Sequence, residues 1–379
     1  MSSDEPGDRA RDDAARDLPR RDDPALARTG RAAKDGVPDA AKAARRSRVA
    51  RLSERALLGG SAVTAAVPLA ALVAMLVVLV IQALPAIRYN GWHFLVGSGW
   101  NPGSTYSQPV HTGGILHLAG ASYGAWPLIL GTLEASAIAV LVGFPIAVGA
   151  AVFIVEKLPR ALSGVVGLFL EILAGIPSVV FGLWGVLTFG PWLARDIYPA
   201  LTHLPNVPVL DIFRGSTGYG EGLLTAGIVL AAMIIPLIAA TTRDLLRQVP
   251  EATKEGAEAL GLTSAEVFRT VQFRWVRTGV LGAAILGLGR ALGETIAVAL
   301  VTGSVLQSAT NIYGTTTTIA ATIVSQLDSA QTDPTGLYVR VLAEAALVLM
   351  AITLLVNIAA RRIVRRSARG VALPVGVGF

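Results

Sequence analysis

Apolar residues along this chain gather into six long runs, at about 57–84, 127–155, 162–187, 222–242, 278–301 and 341–360, parted by polar stretches that carry most of the charge. Each run meets or exceeds the ~20 residues a helix needs to cross the hydrocarbon core of a bilayer. The pattern therefore predicts six membrane-spanning helices. Pro68, Pro145, Pro177 and Pro236 fall inside the runs, where a membrane helix tolerates them as kinks. The run from Gly282 to Gly289 is dense in Gly and Ala, which suits close approach of helix backbones.

Residues 1–56 are a different material. They are rich in Asp, Arg, Ala, Gly and Pro, with almost no aromatic or β-branched residues. Such a segment buries too little apolar surface to offset its chain entropy, so it is expected to be a disordered charged tail. Its charged stretch is too long before any apolar run for a signal peptide. The organisation expected is a tail over 1–56, a six-helix transmembrane domain over 57–362 and a C-terminal tail over 363–379.

Basic residues orient the spans. Arg45, Arg46, Arg48, Arg51 and Arg55 precede the first. Lys157 and Arg160 lie between the second and third, and Arg243, Arg247, Lys254, Arg269, Arg274 and Arg277 between the fourth and fifth. Arg361, Arg362, Arg365, Arg366 and Arg369 follow the sixth, while the alternate links hold only Arg88, Arg195, Arg214 and Arg340. The positive-inside rule puts both termini and the basic links in the cytoplasm. The arginines before the first span either hold the N-terminus inside or touch anionic lipid, and the topological role is favoured. Two outward links, 85–126 and 188–221, are long, with Trp92, Trp100, Trp126 and Trp192 expected as interface anchors.

Composition agrees with a membrane protein. Of 379 residues 53% are hydrophobic and 15% charged, and the mean hydropathy is +0.59, against the ~25% charge of soluble domains. The net charge of +6 follows from tails and inner loops and does not signal nucleic acid. The absence of cysteine excludes disulfides, thiolate metal sites and cysteine nucleophiles. His93, His111, His117 and His203 lack ligand-like spacing and are expected as solvated loop residues. No metal-binding or catalytic residue is assigned.

Arg290 and Glu294 are the exception to an apolar fifth run. Four apart on a helix, they would share one face, one turn from each other. A charge at the bilayer centre costs roughly 2.5–3.5 kcal/mol on insertion scales. The two must pair or face a polar cavity, so they either line a path or tie the bundle together. Glu171 is expected near the inner interface in a structural role; Glu134 and Glu344 are nominally intramembrane and carry no assignment.

The link 249–277 reads as two short amphipathic helices: one opened by Pro250 and running from Glu251 to Leu260, a stop at Gly261, then Thr263 and Glu266 at capping-box spacing for a second with Val267, Phe268 and Val271 as its apolar stripe. Glu255-Gly256-Ala257, Gly261 and Val271-Gln272-Phe273 follow the spacing of the EAA loop of ABC-importer permeases. Gly256 stands where Ala is usual and Arg274 where Pro is usual. In addition, Trp100-Asn101-Pro102, the segment from Tyr123 to Leu133, the segment from Glu171 to Trp184 and the segment from Gly289 to Val298 resemble the C-type permease subunit of the phosphate-specific transport system (PstC). The resemblance covers about Leu57 to Arg362.

It implies an all-α polytopic fold with six transmembrane helices of the ABC-importer permease (MetI-like) type, in the cytoplasmic membrane. It also implies a permease without covalent chemistry of its own that carries inorganic phosphate. The implied partners are an A-type permease, a cytoplasmic ATP-binding subunit dimer, an extracytoplasmic phosphate-binding protein and membrane lipid. No cofactor is expected on this chain; ATP and Mg²⁺ are expected on the partner, and the chain holds no G-x-x-x-x-G-K-[ST]. Arg290 would contact phosphate and Glu294 would hold Arg290 in the empty path. Glu255, Gly256, Ala257, Gly261, Val271 and Phe273 would form the ATPase-docking loop. Spacing alone does not separate phosphate from sulfate or molybdate. An intramembrane enzyme lacks a convergent set of His, Asp or Glu here, and a non-transporting sensor subunit is a further alternative.

Overall fold

A computed structural model of the chain describes residues 40–203 and 213–368. The chain divides into two units, 1–75 and 76–379. The described part of the first unit is helical, within a helix assigned over Ala40–Asn90. Part of the expected disordered tail, 40–56, is therefore helix; Ala and Arg, which dominate it, are among the best helix formers. Residues 1–39 of that tail lie outside the described residues, as do 369–379 of the C-terminal one. The last helix, Leu337–Ala368, takes up the rest of the latter.

Among the described residues, five helices are long and apolar enough to span: Thr64–Asn90, Trp126–Glu156, Leu223–Arg247, Ser264–Gly293 and Leu337–Val364. A bent pair, Ala161–Ala174 and Ser178–Thr202, makes a sixth when counted as one span, its halves meeting at 89°. The bend falls at Gly175-Ile176-Pro177. Pro177 has no N–H to give and forces the residue before it out of helical geometry, so the expected kink is a break. Beyond it helical turns continue through two wide π turns, Gly185–Phe189 and Leu193–Ile197, to Thr202. The expected outward link 188–221 is thus helical at its start; 204–212 lie outside the described residues.

The fourth span is the centre. In its most apolar stretch 72% of residues are buried by the chain itself, against 28% in the second span and 22% in the sixth. Leu230, Met233, Ile234 and Ile238 carry this core. Glycines let the neighbours close in: a Cβ on Gly143 of the second span would lie 3.1 Å from Ile234, and one on Gly287 of the fifth only 2.6 Å from Ile238.

The link after the first span is ordered. Two short antiparallel pairs, Trp100–Asn101 with Ser122–Tyr123 and Val110–Thr112 with Ile115–His117, cap that end. Trp100 is not a free interface anchor: it packs edge-on to Tyr123 and donates its indole N–H to Tyr338 at 3.2 Å. Trp92, at 83% exposure, fits the anchoring role. His117 is likewise not solvated; it is buried, with Thr112 Oγ1 at 2.8 Å and the carbonyl of Leu118 at 2.8 Å. Glu344 of the sixth span is buried and accepts from Asn90 at 2.7 Å. A further helix, Ile319–Gln331, fills the link between fifth and sixth spans, with Thr318 accepting from the Ala321 N–H at its start.

Candidate functional site

The fifth span begins well before its apolar run. Thr263 caps it in a reciprocal box, its backbone N–H and hydroxyl both donating to Glu266 at 2.8 Å. Helix Ser264–Val267 passes through a π turn, Phe268–Gln272, into Phe273–Gly293. The expected second short helix is therefore the first turn of the span itself. The polar residues Arg274 and Arg277 hide this continuity in the sequence.

The other end of the span is also displaced. Arg290 lies in the last turn, and the helix stops at Gly293. Glu294 is extended (φ −71°, ψ 132°), and a separate short helix, Ile296–Val301, follows. Arg290 and Glu294 thus do not share one helical face, and among the described residues no ion pair joins them. The cause is local. Gly293 is a weak helix former, and the Thr295 hydroxyl donates to the Gly293 carbonyl at 3.2 Å, a bond that competes with the helical ladder.

Arg290 faces a cavity of about 790 Å³, lined also by Leu237, Leu286, Gly289, Asn357 and Arg361. It is half-buried, as is Glu294. The short helix beyond the break rests on the second limb of the bent pair. A Cβ on Gly182 would come 2.8 Å from both Ala297 Cα and Leu300 Cδ1. Gly182→Val should push the two apart, costing about 1–3 kcal/mol by overpacking, which a thermal melt of the purified protein would register.

The elbow precedes the span. Helix Glu251–Ala259 starts after Pro250, and Gly261 (φ +84°) reverses the chain. Of the six residues expected to dock a partner, Glu255, Gly256, Gly261 and Phe273 are exposed, Val271 is half-buried and Ala257 is buried. Leu260, which sequence spacing did not single out, is 84% exposed on the same elbow.

Residues 143–372 match the family described as binding-protein-dependent transport system inner membrane component. The chain is 58% identical over 324 residues to the phosphate transport system permease protein PstC 1 of Mycobacterium tuberculosis, covering 85% of this chain and 95% of that one. With the PstC of Haemophilus influenzae it shares 38% over 296 residues, 78% of this chain and 88% of the other. The chain belongs to this permease family, in its PstC branch. Among solved structures, an inward-facing MetNI methionine ABC transporter aligns with a TM-score of 0.43 and 18% identity, over 64% of this chain and 94% of that one.

In this permease a buried cation lies in the fourth span, just before the elbow. Arg243 of the fourth span is 7% exposed; its guanidinium donates to Glu171 at 3.0 Å and pairs with Asp244 at 2.8 Å. Gly167 makes room for it, since a Cβ there would collide with the guanidinium. One turn on, Arg247 donates to Ser163 at 2.7 Å. The first limb of the bent pair is thus tied to the fourth span by charge, and Glu171 holds a structural position.

Proposed function

We propose that this chain is the transmembrane permease subunit of an ATP-driven importer that moves inorganic phosphate across the cytoplasmic membrane. The observation that carries the substrate is the 58% identity over 85% of the chain to a phosphate transport system permease. The observation that supports the mechanism is one continuous helix, Ser264–Gly293, leading from the elbow to Arg290.

Arg290 contacts the anion. Its guanidinium is charged at every relevant pH and matches phosphate oxygens in a two-pronged geometry. Glu294 sits past the helix end; when the break rearranges, it competes with the anion for Arg290 and so helps release it. The elbow, with Glu255, Gly256, Gly261, Val271 and Phe273 around buried Ala257, docks on a separate ATP-binding subunit dimer, which would hold ATP and Mg²⁺. An A-type permease lines the other half of the path, and an extracytoplasmic phosphate-binding protein delivers the ion. Both termini face the cytoplasm.

The test is ATP-dependent uptake of radiolabelled phosphate in cells lacking their own high-affinity system and supplied with this chain and its neighbouring subunits. Uptake that excess sulfate or molybdate leaves unchanged is the expected result. An assembled complex that takes up no phosphate would sink the reading. Gly261→Ala probes the elbow: nothing crowds a Cβ there, so its cost is purely the left-handed backbone, about 1–2 kcal/mol. Phosphate moved per ATP hydrolysed should fall several-fold while the complex still forms.

A further inference from the structure

The cavity at Arg290 holds a second cation that the proposed path does not use. Arg361 of the sixth span lines it together with Asn357. These two are four apart on the continuous helix Leu337–Ala368 and so present one face. That face lies against Gly289: a Cβ built on it would stand in ordinary contact, 3.8 Å from both polar atoms of the Asn357 amide. Among the described residues neither Arg290 nor Arg361 has a carboxylate partner, and no acidic side chain lines the cavity. Its other walls include Leu237, Ile285, Leu286 and Val364. Arg290 is half-buried and Arg361 is exposed at the rim of this open cavity. Two guanidinium groups lining one space with no acidic side chain favour an anion between them.

We infer that Arg290, Asn357 and Arg361 form an anion site that takes a phosphate group, Arg361 and Asn357 gripping it from the sixth span. The inference rests on the proposed path through Arg290 and extends it toward the end of the sixth span that carries Arg362 and Arg365. The guanidinium of Arg361 supplies paired donors to two phosphate oxygens, and the Asn357 amide supplies a neutral donor beside them. The same chemistry is offered by inorganic phosphate in transit and by the headgroup phosphate of an anionic lipid, and the cavity has room for either.

The experiment uses the whole transporter with its partner subunits, reconstituted in vesicles of phosphatidylcholine alone or with added phosphatidylglycerol. Arg361→Gln, Asn357→Asp and Arg361→Lys are compared with Arg362→Gln, which lies outside the cavity. Inorganic phosphate as occupant predicts that Arg361→Gln and Asn357→Asp each lower uptake at least ten-fold in both kinds of vesicle, with Arg361→Lys retaining part of the rate. A lipid headgroup predicts that phosphatidylglycerol stimulates the unaltered transporter, that native mass spectrometry finds it bound, and that Arg361→Gln removes both effects. Rates within two-fold of the unaltered transporter in both vesicles, with no lipid bound, would overturn the site. So would loss of assembly in Arg361→Gln and Arg361→Lys alike, which would make Arg361 a packing contact. If Arg290→Gln stops uptake while Arg361→Gln changes neither uptake nor lipid binding, the path stands and this site fails. If the unaltered transporter moves no phosphate, the path fails, and lipid retention alone decides the site.

Discussion

Arg290→Gln should lower phosphate uptake about a hundredfold or more and leave assembly of the complex intact. Hydrogen bonds to a charged group are worth about 1.5–3 kcal/mol each. Losing a two-pronged pair therefore removes about 3 kcal/mol or more, and every 1.4 kcal/mol is about ten-fold. Assembly survives because the side chain borders a cavity and pairs with no carboxylate among the described residues. Arg290→Lys should fall between the two, since an ammonium keeps the charge but not the planar fork. Uptake assays alongside size-exclusion profiles of the purified complex read both quantities. A complex that falls apart on Arg290→Gln would make the arginine structural.

The second large effect concerns Arg243, and it depends on which partner is removed. Replacing Glu171 by Gln and Asp244 by Asn together should destabilise the protein by about 3–5 kcal/mol, because a buried cation is left without a counter-charge. Arg243→Met should cost clearly less. It removes the buried charge, and the two carboxylates left behind, 58% and 57% exposed, can hydrate. Thermal or denaturant unfolding of the purified variants checks the order. If Arg243→Met proved the more damaging, packing of the long side chain, and not its charge, would be what matters.

Much of this architecture was legible in the apolar runs, because a bilayer demands a minimum apolar length and little else. The break at Pro177 could be anticipated as a kink, though not as a right angle, since how far the chain turns depends on what it packs against. The break at Glu294 had no proline to announce it. Gly293 is a weak helix former and the Thr295 hydroxyl bonds back to its carbonyl, cues too slight to mark a break in the sequence. The helix Ile319–Gln331 escaped notice because it is too short to span and too mixed to stand out. At the site, Arg290 was conspicuous as a charge in apolar surroundings. Arg361 was not, because Arg362, Arg365 and Arg366 beside it make it look like one more topological charge. Only the contact of the sixth span with Gly289 separates it from them.

The π turn at Phe268–Gln272 gives the fifth span a phase as well as a length. A π turn spends more residues per turn than an α turn, so it sets the angle at which everything beyond it points. The rod from Ser264 to Gly293 has 30 residues, about 45 Å at 1.5 Å per residue. Over such a length a tilt at the elbow reaches Arg290 as a displacement, without any relay of side chains. Its azimuth is the more delicate quantity: dropping one residue from the turn would rotate Arg290 by about 100° about the helix axis, away from the cavity it faces. The spacing between elbow and arginine is in this sense a timing mark, which tolerates substitution far better than it tolerates insertion or deletion.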